Sequence, residues 1–234
     1  MRSLADQTVD ELGGTWSILH RQKRDHVRLE ELLQQLLATT GEEQERVLHS
    51  IARLVFPHAF AEESVIWPTL RRLLPDGEQL TLQVEQEHQE VNDLWTDLET
   101  ETDPQHRAQL IQRLVTVLRE DVRDEEDELL PRLQDRVDVR RLRQLGVAWE
   151  AVRRTAPTRP HPVVSRRPPG NALAALPLTV LDRSRDAVES TSRRAPEQWR
   201  PRLVSTSQTL AGAAGRVEHW GVLRRGEDPS TSRD

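Results

Sequence analysis

Potential metal ligands recur in this chain at helical spacing, in two matched halves. From His58 the chain reads His-x-x-x-Glu-Glu-x-x-x-x-Pro-x-Leu, through Glu62, Glu63, Pro68 and Leu70. The same run starts again at position 121, 63 residues after 58, with Asp121 in the first place, followed by Glu125, Glu126, Pro131 and Leu133. A shorter motif repeats at nearly the same offset: Asp25-His26 followed by Leu29, and Glu87-His88 followed by Val91. Residues four apart share one helix face, so His58 with Glu62, and Asp121 with Glu125, can each grip one centre. A chain that carries such residues in two matched halves is set up to build one near-symmetric site between helices.

The segments that carry these residues have 3.6-residue periodicity, and no sustained strand alternation is present. The first predicted helix runs from about Thr15 to Ala38, with Leu19, His26, Leu29, Leu33 and Leu36 on its apolar stripe. The second runs from about Glu42 to Leu74, with Ile51, Leu54, His58, Glu62 and Val65 on one face. Pro57 and Pro68 fall inside it and predict a kink or break. The third runs from about Gly77 to Thr100 through Val84, His88, Val91, Trp95 and Leu98. The fourth runs from about Pro104 to Gln134 through Leu114, Leu118, Asp121, Glu125, Leu129 and Leu133.

Three-residue connections at Thr39–Gly41, Pro75–Gly77 and Glu101–Asp103 make consecutive helices antiparallel neighbours. The expected fold is therefore all-α, an up-down-up-down four-helix bundle. A fifth helix, about Val139 to Arg154, is expected to pack beside it through Leu142, Leu145, Val147 and Trp149. Trp16, Trp67 and Trp95 are expected in the core with Trp149.

The bundle and fifth helix occupy residues 1–154. Residues 155–171 are rich in proline and arginine and read as an extended linker. Residues 172–234 form a helical or partly disordered extension. Its stripes are thin: Leu173, Leu176, Val180 and Val188, then Leu203, Leu210, Ala214 and Val217. The last dozen residues are expected to be disordered.

Composition narrows the chemistry. The chain has no cysteine, which excludes disulfides, thiolate metal sites and cysteine nucleophiles. No apolar run approaches the ~18 residues of a membrane span, and no secretion signal is visible, so a cytoplasmic location is expected. Residues 155–234 carry 13 arginines against 8 acidic residues, net +5, whereas residues 1–154 carry 20 basic against 31 acidic, net −11. The acidic part is not expected to bind nucleic acid or membrane. The basic extension is expected to contact the acidic part or to have no binding role, and no protein partner for it is specified by the sequence.

The four stripes together turn six ligand-type groups inward: His26, His58, Glu62, His88, Asp121 and Glu125. Three ionised carboxylates in a bundle core are prohibitive without compensating charge. Two cations bridged by Glu62 and Glu125 supply it economically. Imidazole and carboxylate without thiolate suit iron, manganese or zinc. Glu63 and Glu126 are read as lying behind the ligands or exposed. His20 and His49 are off the stripes, His106 is too far along its helix, and His161 and His219 are expected to play no role. Glu85-x-x-His88 matches half of a ferritin-like motif whose second half is missing.

At these residues the chain resembles the hemerythrin HHE cation-binding domain. The resemblance covers about residues 15–135 and rests on four segments that agree in order and spacing. It implies a four-helix bundle holding two non-haem iron ions. Two positions depart from the family pattern. Asp121 stands where the second His-x-x-x-Glu has its histidine, and Val84 stands where oxygen-carrying members have a further histidine. The implied ligand set is three histidines and three carboxylates, in place of five and two. Carboxylates favour the ferric state, which argues against simple reversible oxygen carriage.

The leading functional expectation is a di-iron protein that binds or senses O2, peroxide or nitric oxide at a carboxylate-rich site. The alternatives are a ferroxidase or catalase-like enzyme, an iron-dependent protein-interaction module, and a structural bundle with a lapsed site.

Overall fold

The computed structural model describes residues 2–231 and is all-helical, with no strand among them. Helix α1 spans Ile18–Ala38 and begins where Ser17 Oγ accepts from the Leu19 amide. Helix α2 spans Gly41–Ala61, a π-helical turn covers Glu62–Ile66, and α3 continues over Trp67–Leu73. Helix α4 spans Gly77–Thr100. Helix α5 spans Pro104–Asp124, capped by Asp103, and a second π turn at Glu125–Leu129 leads into α6, Leu130–Gln134.

The chain runs α1 up, α2–α3 down, α4 up and α5–α6 down. Helix α7, Val139–Arg154, packs on α1 and α2. It comes very close to the start of α1 at Gly146, where a β-carbon would lie 2.2 Å from the Trp16 carbonyl oxygen.

The proline effect differs from the expectation. Helix α2 continues through Pro57, and the disturbance lies one turn ahead of Pro68, and likewise of Pro131. A proline ring crowds the carbonyl four residues earlier and cannot donate to it. Widening the preceding turn relieves both problems. The bulge takes the same form in both halves: the Trp67 amide donates to the Glu62 carbonyl and the Leu130 amide to the Glu125 carbonyl, five residues back in each case.

Two apolar clusters fill the bundle. One joins Leu29, Leu33, Ile51, Phe56, Val91, Trp95, Leu114 and Leu118. The other joins Leu4, Leu12, Leu19, Ile66, Trp67, Val84, Leu129, Leu133 and Trp149. On every bundle helix the polar inward residues fall between the two. His26 lies between Leu19 and Leu29, for example, and His88 between Val84 and Val91. Among residues expected in the core, Trp16 is instead 62% exposed and Val147 54% exposed. Trp16 sits just ahead of the α1 cap with Arg21 over its ring. The buried face of α7 runs through Leu142, Leu145, Gly146 and Trp149, leaving Val147 on the opposite side.

Residues 155–169 contain no helix, yet they are not a solvated spacer. Residues 156–159, 161 and 163–166 are buried, so the segment lies as a strap against the rest of the protein. Beyond them α8, Gly170–Arg194, and α9, Arg200–Glu218, form a helical hairpin. The first expected stripe is on the wrong face: Leu173, Leu176 and Val180 are exposed, and Ala174 and Leu178 are buried. The buried face meets Ala214 and Leu223. The end of the chain forms short 3-10 turns at Gly221–Arg224 and Pro229–Thr231, so the expected disorder is not seen up to Thr231. Residues 232–234 of that stretch lie outside the described residues. None of the described helices is long and apolar enough to cross a membrane.

Candidate metal centre

The polar layer between the apolar clusters brings all six sequence-derived ligand residues together. One atom each from His26, His58, Glu62 and Glu125 lie within 4.8 Å of one another, and so do atoms of His88, Asp121 and Glu125. His58 Nε2 is 3.0 Å from Glu62 Oε1, and His26 Nε2 is 3.1 Å from Glu125 Oε2. His88 Nε2 is 3.5 Å from Asp121 Oδ1, 3.7 Å from Glu62 Oε2 and 3.9 Å from Glu125 Oε1. Glu62 and Glu125 thus face both groups, as bridging carboxylates would.

The outer nitrogens of the imidazoles each face a further carboxylate. His26 Nδ1 donates to Glu126 Oε1 at 2.8 Å, and His88 Nδ1 to Glu63 Oε1 at 2.9 Å. His58 Nδ1 lies 3.5 Å from Asp25 Oδ2. Each histidine is therefore backed by a carboxylate from a different helix, which turns Nε2 inward. Carboxylate–imidazole pairs of this kind fix the tautomer and orientation of metal-ligating histidines. Glu63 and Glu126, read from sequence as lying behind the ligands or exposed, are buried and take this role. Asp25 was not assigned one, although its repeat with Glu87 ahead of a histidine was the available signal.

The fourth position of this pattern is incomplete. By the repeat, Glu87 corresponds to Asp25 and Asp121 to His58. Because Asp121 is not a histidine, Glu87 has no imidazole to receive. Its Oε2 is buried without a hydrogen-bond partner. Burial, with Asp121 and Asp124 nearby, pushes its carboxyl up to about 7.

The polar layer carries concentrated negative charge. Glu62 Oε1 and Oε2, Glu125 Oε1 and Oε2, Asp121 Oδ1 and His26 Nε2 are all buried without a hydrogen-bond partner. Buried polar atoms are normally satisfied, and unpaired buried carboxylates are costly. Burial, reinforced by Glu62 and Asp121, pushes the Glu125 carboxyl up to about 8. Burial alone would lower the His58 imidazole, but Glu62 and Asp25 overcome it and raise His58 to about 9. His26 and His88 are likewise raised against burial, by Glu125 and Glu126 and by Asp121 and Glu63. Free of metal, these groups hold their protons to higher pH than they would in solution. Cations among the same oxygens and Nε2 atoms would replace them, and the donor set fits iron, manganese or zinc.

Other candidates resolve differently. Glu85 points away from the site and is held by Arg71 and Arg167, so its spacing to His88 is not a ligand motif here. His49 lies beside Asp186 and Glu189, but Arg159 already pairs with both carboxylates, at 2.9 Å and 2.7 Å. His161, expected to have no role, is buried between Asp182 and Glu218 at 3.1 Å and 3.0 Å. It ties the strap to the α8–α9 hairpin.

A cavity of about 20 Å³ adjoins the centre. His26, His58, His88 and Asp121 form one wall, and Leu29, Phe56, Val91 and Leu118 are among its apolar residues. A single water needs about 10–15 Å³, so the space is on the scale of one small molecule.

Residues 17–133 match the family described as Hemerythrin HHE cation binding domain. No curated protein and no solved structure was found to match the chain.

Proposed function

The chain belongs to the hemerythrin HHE cation-binding family, and on that premise we propose that it holds two iron ions and binds or senses O2, peroxide or nitric oxide beside them. The observation that carries this reading is the set of buried oxygens without a hydrogen-bond partner on Glu62, Glu125 and Asp121, facing three imidazoles whose outer nitrogens each face another carboxylate. His26, His58, Glu62 and Glu125 would hold one ion. His88, Asp121, Glu125 and Glu62 would hold the other. The bound ions would supply Lewis acidity and one-electron redox chemistry.

The protein's own residues set what can approach. The adjoining cavity takes one water-sized molecule against a largely apolar wall, which suits a diatomic or peroxide and shuts out a larger substrate. Asp121 in place of histidine makes one half richer in carboxylate and favours the ferric state. That observation supports the second reading, a ferroxidase or catalase-like enzyme, over reversible oxygen carriage. We place the protein in the cytoplasm, consistent with a chain without cysteine.

The test is elemental analysis of the full chain after anaerobic loading with ferrous iron and desalting. Close to two ions per chain are expected, with manganese or zinc as the next best occupants. Glu125→Ala is expected to lose metal, because a bridging carboxylate has no substitute. Less than about half an ion per wild-type chain would overturn the reading.

A further inference from the structure

The strap that follows α7 crosses the bundle at the one histidine that serves its half of the centre alone. The His161 amide donates to Asn92 Oδ1 at 3.1 Å, and the Pro162 carbonyl accepts from Gln89 Nε2 at 3.1 Å. Gln89 and Asn92 lie one residue and one turn beyond His88 on α4, and Asn92 Nδ2 itself donates to the His88 carbonyl. Four residues further on, Arg166 lays its guanidinium into the same place. Its Nε and Nη2 donate to Gln89 Oε1 at 3.2 Å and 2.9 Å. Its Nη1 lies 3.8 Å from Glu63 Oε1, the oxygen that accepts from His88 Nδ1.

Glu63 is 2% exposed and Arg166 10% exposed at their side chains. A carboxylate buried that deeply needs a countercharge, and removing it leaves a costly unpaired charge. Of the other two backing carboxylates, Asp25 is braced from within residues 1–154 and Glu126 is not enclosed. Asp25 accepts from Arg24 at 2.7 Å and lies 3.9 Å from Arg153. Glu126 borders an open cleft between α1 and α5. Only Glu63, among these three, takes its arginine from the C-terminal extension.

We infer that the extension is a positioning element for one half of the metal centre: Arg166, acting through Glu63, holds His88 as the nitrogen ligand of the cation among His88, Asp121 and Glu125. This rests on the two-ion reading above. The dependence is one-sided because Asp121 has replaced the second histidine of that half. The His26–His58 half keeps two imidazoles, whereas here the orientation of His88 decides the only nitrogen donor in its cluster. Loss of the groups that orient metal-binding histidines typically weakens binding by 10–100-fold.

The experiment is a Mn2+ titration of the full chain against a competing chelating dye, resolving two dissociation constants. Wild type is expected to bind two ions. Arg166→Met is expected to weaken one site roughly tenfold or more and leave the other within about twofold. Arg166→Lys keeps the charge and is expected to recover most of the loss. Glu63→Gln should weaken the same site, and the double variant should be no weaker than Glu63→Gln alone, since residues acting through one contact are not additive.

If Arg166→Met fails to fold, Arg166→Gln takes its place in the same cycle. Equal weakening of both sites, additive effects in the double variant, or unchanged affinities in Arg166→Met would overturn the inference while leaving the two-ion reading intact. A wild-type chain that takes up less than about half an ion would overturn both, and one that takes up a single ion would overturn this inference.

Discussion

Raising the pH should destabilise the metal-free protein and leave the metal-loaded protein largely unaffected. Without a cation the site is neutralised by protons. His58 is raised from 6.5 to about 9 by Glu62 and Asp25, which together outweigh its burial. The folded state therefore binds this proton more tightly than the unfolded chain. The stabilisation is complete below about 6.5 and is lost as pH rises through about 9. At about 1.4 kcal/mol for each pH unit between the two values, the proton on His58 is worth about 3 kcal/mol. Glu125, pushed up to about 8, moves stability in the same direction: its folded carboxyl keeps a proton that the unfolded chain releases near 4.5.

For a chain of this size about 3 kcal/mol corresponds to a melting-temperature drop of roughly 6–12 °C. The assay is thermal denaturation of chelated protein at several pH values between 6 and 9.5, followed by far-UV circular dichroism, with and without saturating Mn2+. His58→Gln should flatten the metal-free curve. Bound cations take the place of the protons, so the metal-loaded curve should be nearly level and the stabilisation by metal should grow with pH. A metal-free melting temperature that holds steady or rises across this window would refute the assignment of protons to these inward groups.

Asp121→His should supply the imidazole that Glu87 now lacks and slow autoxidation of the ferrous protein, followed by visible absorption after exposure to air; an unchanged rate would show that position 121 does not reach the metal. Glu87→Leu in that background should remove much of the gain, because the new ring would lose its acceptor. Gly146→Ala should lower stability by about 1–3 kcal/mol through overpacking, since the added β-carbon would lie 2.2 Å from the Trp16 carbonyl oxygen; a urea melt equal to wild type would show that α7 can move away from α1. A fragment of residues 1–155 should retain its helical circular dichroism while binding one of two Mn2+ ions more weakly than the full chain; two unchanged affinities would show that the strap is dispensable.

The bundle and its inward polar residues were legible because both depend on spacing along one helix. An α-helix repeats every 3.6 residues, so Leu19, His26, Leu29, Leu33 and Leu36 declare one face, and His58 and Glu62 must share another. Turn residues at Gly41, Gly77 and Asp103 gave the connections, and the repeat from His58 and Asp121 linked the halves. Pro68 and Pro131 marked a disturbance, but only the folded backbone shows that it takes the form of π turns whose bonds end on the inward glutamates Glu62 and Glu125.

Partners on different helices depend on how the helices rotate and slide against one another, and no local periodicity records that. Nothing near Glu63 in sequence says that it backs His88, or that Glu126 backs His26. The strap is the clearest case. Residues 155–169 have no apolar period because their burial lies in a groove built by other segments, so they read as a linker. Arg166 reads as one more charge in a basic tail. The tertiary fold carries it across the bundle and places it against Glu63, because a buried carboxylate requires a countercharge and the chain can bring one from a hundred residues away.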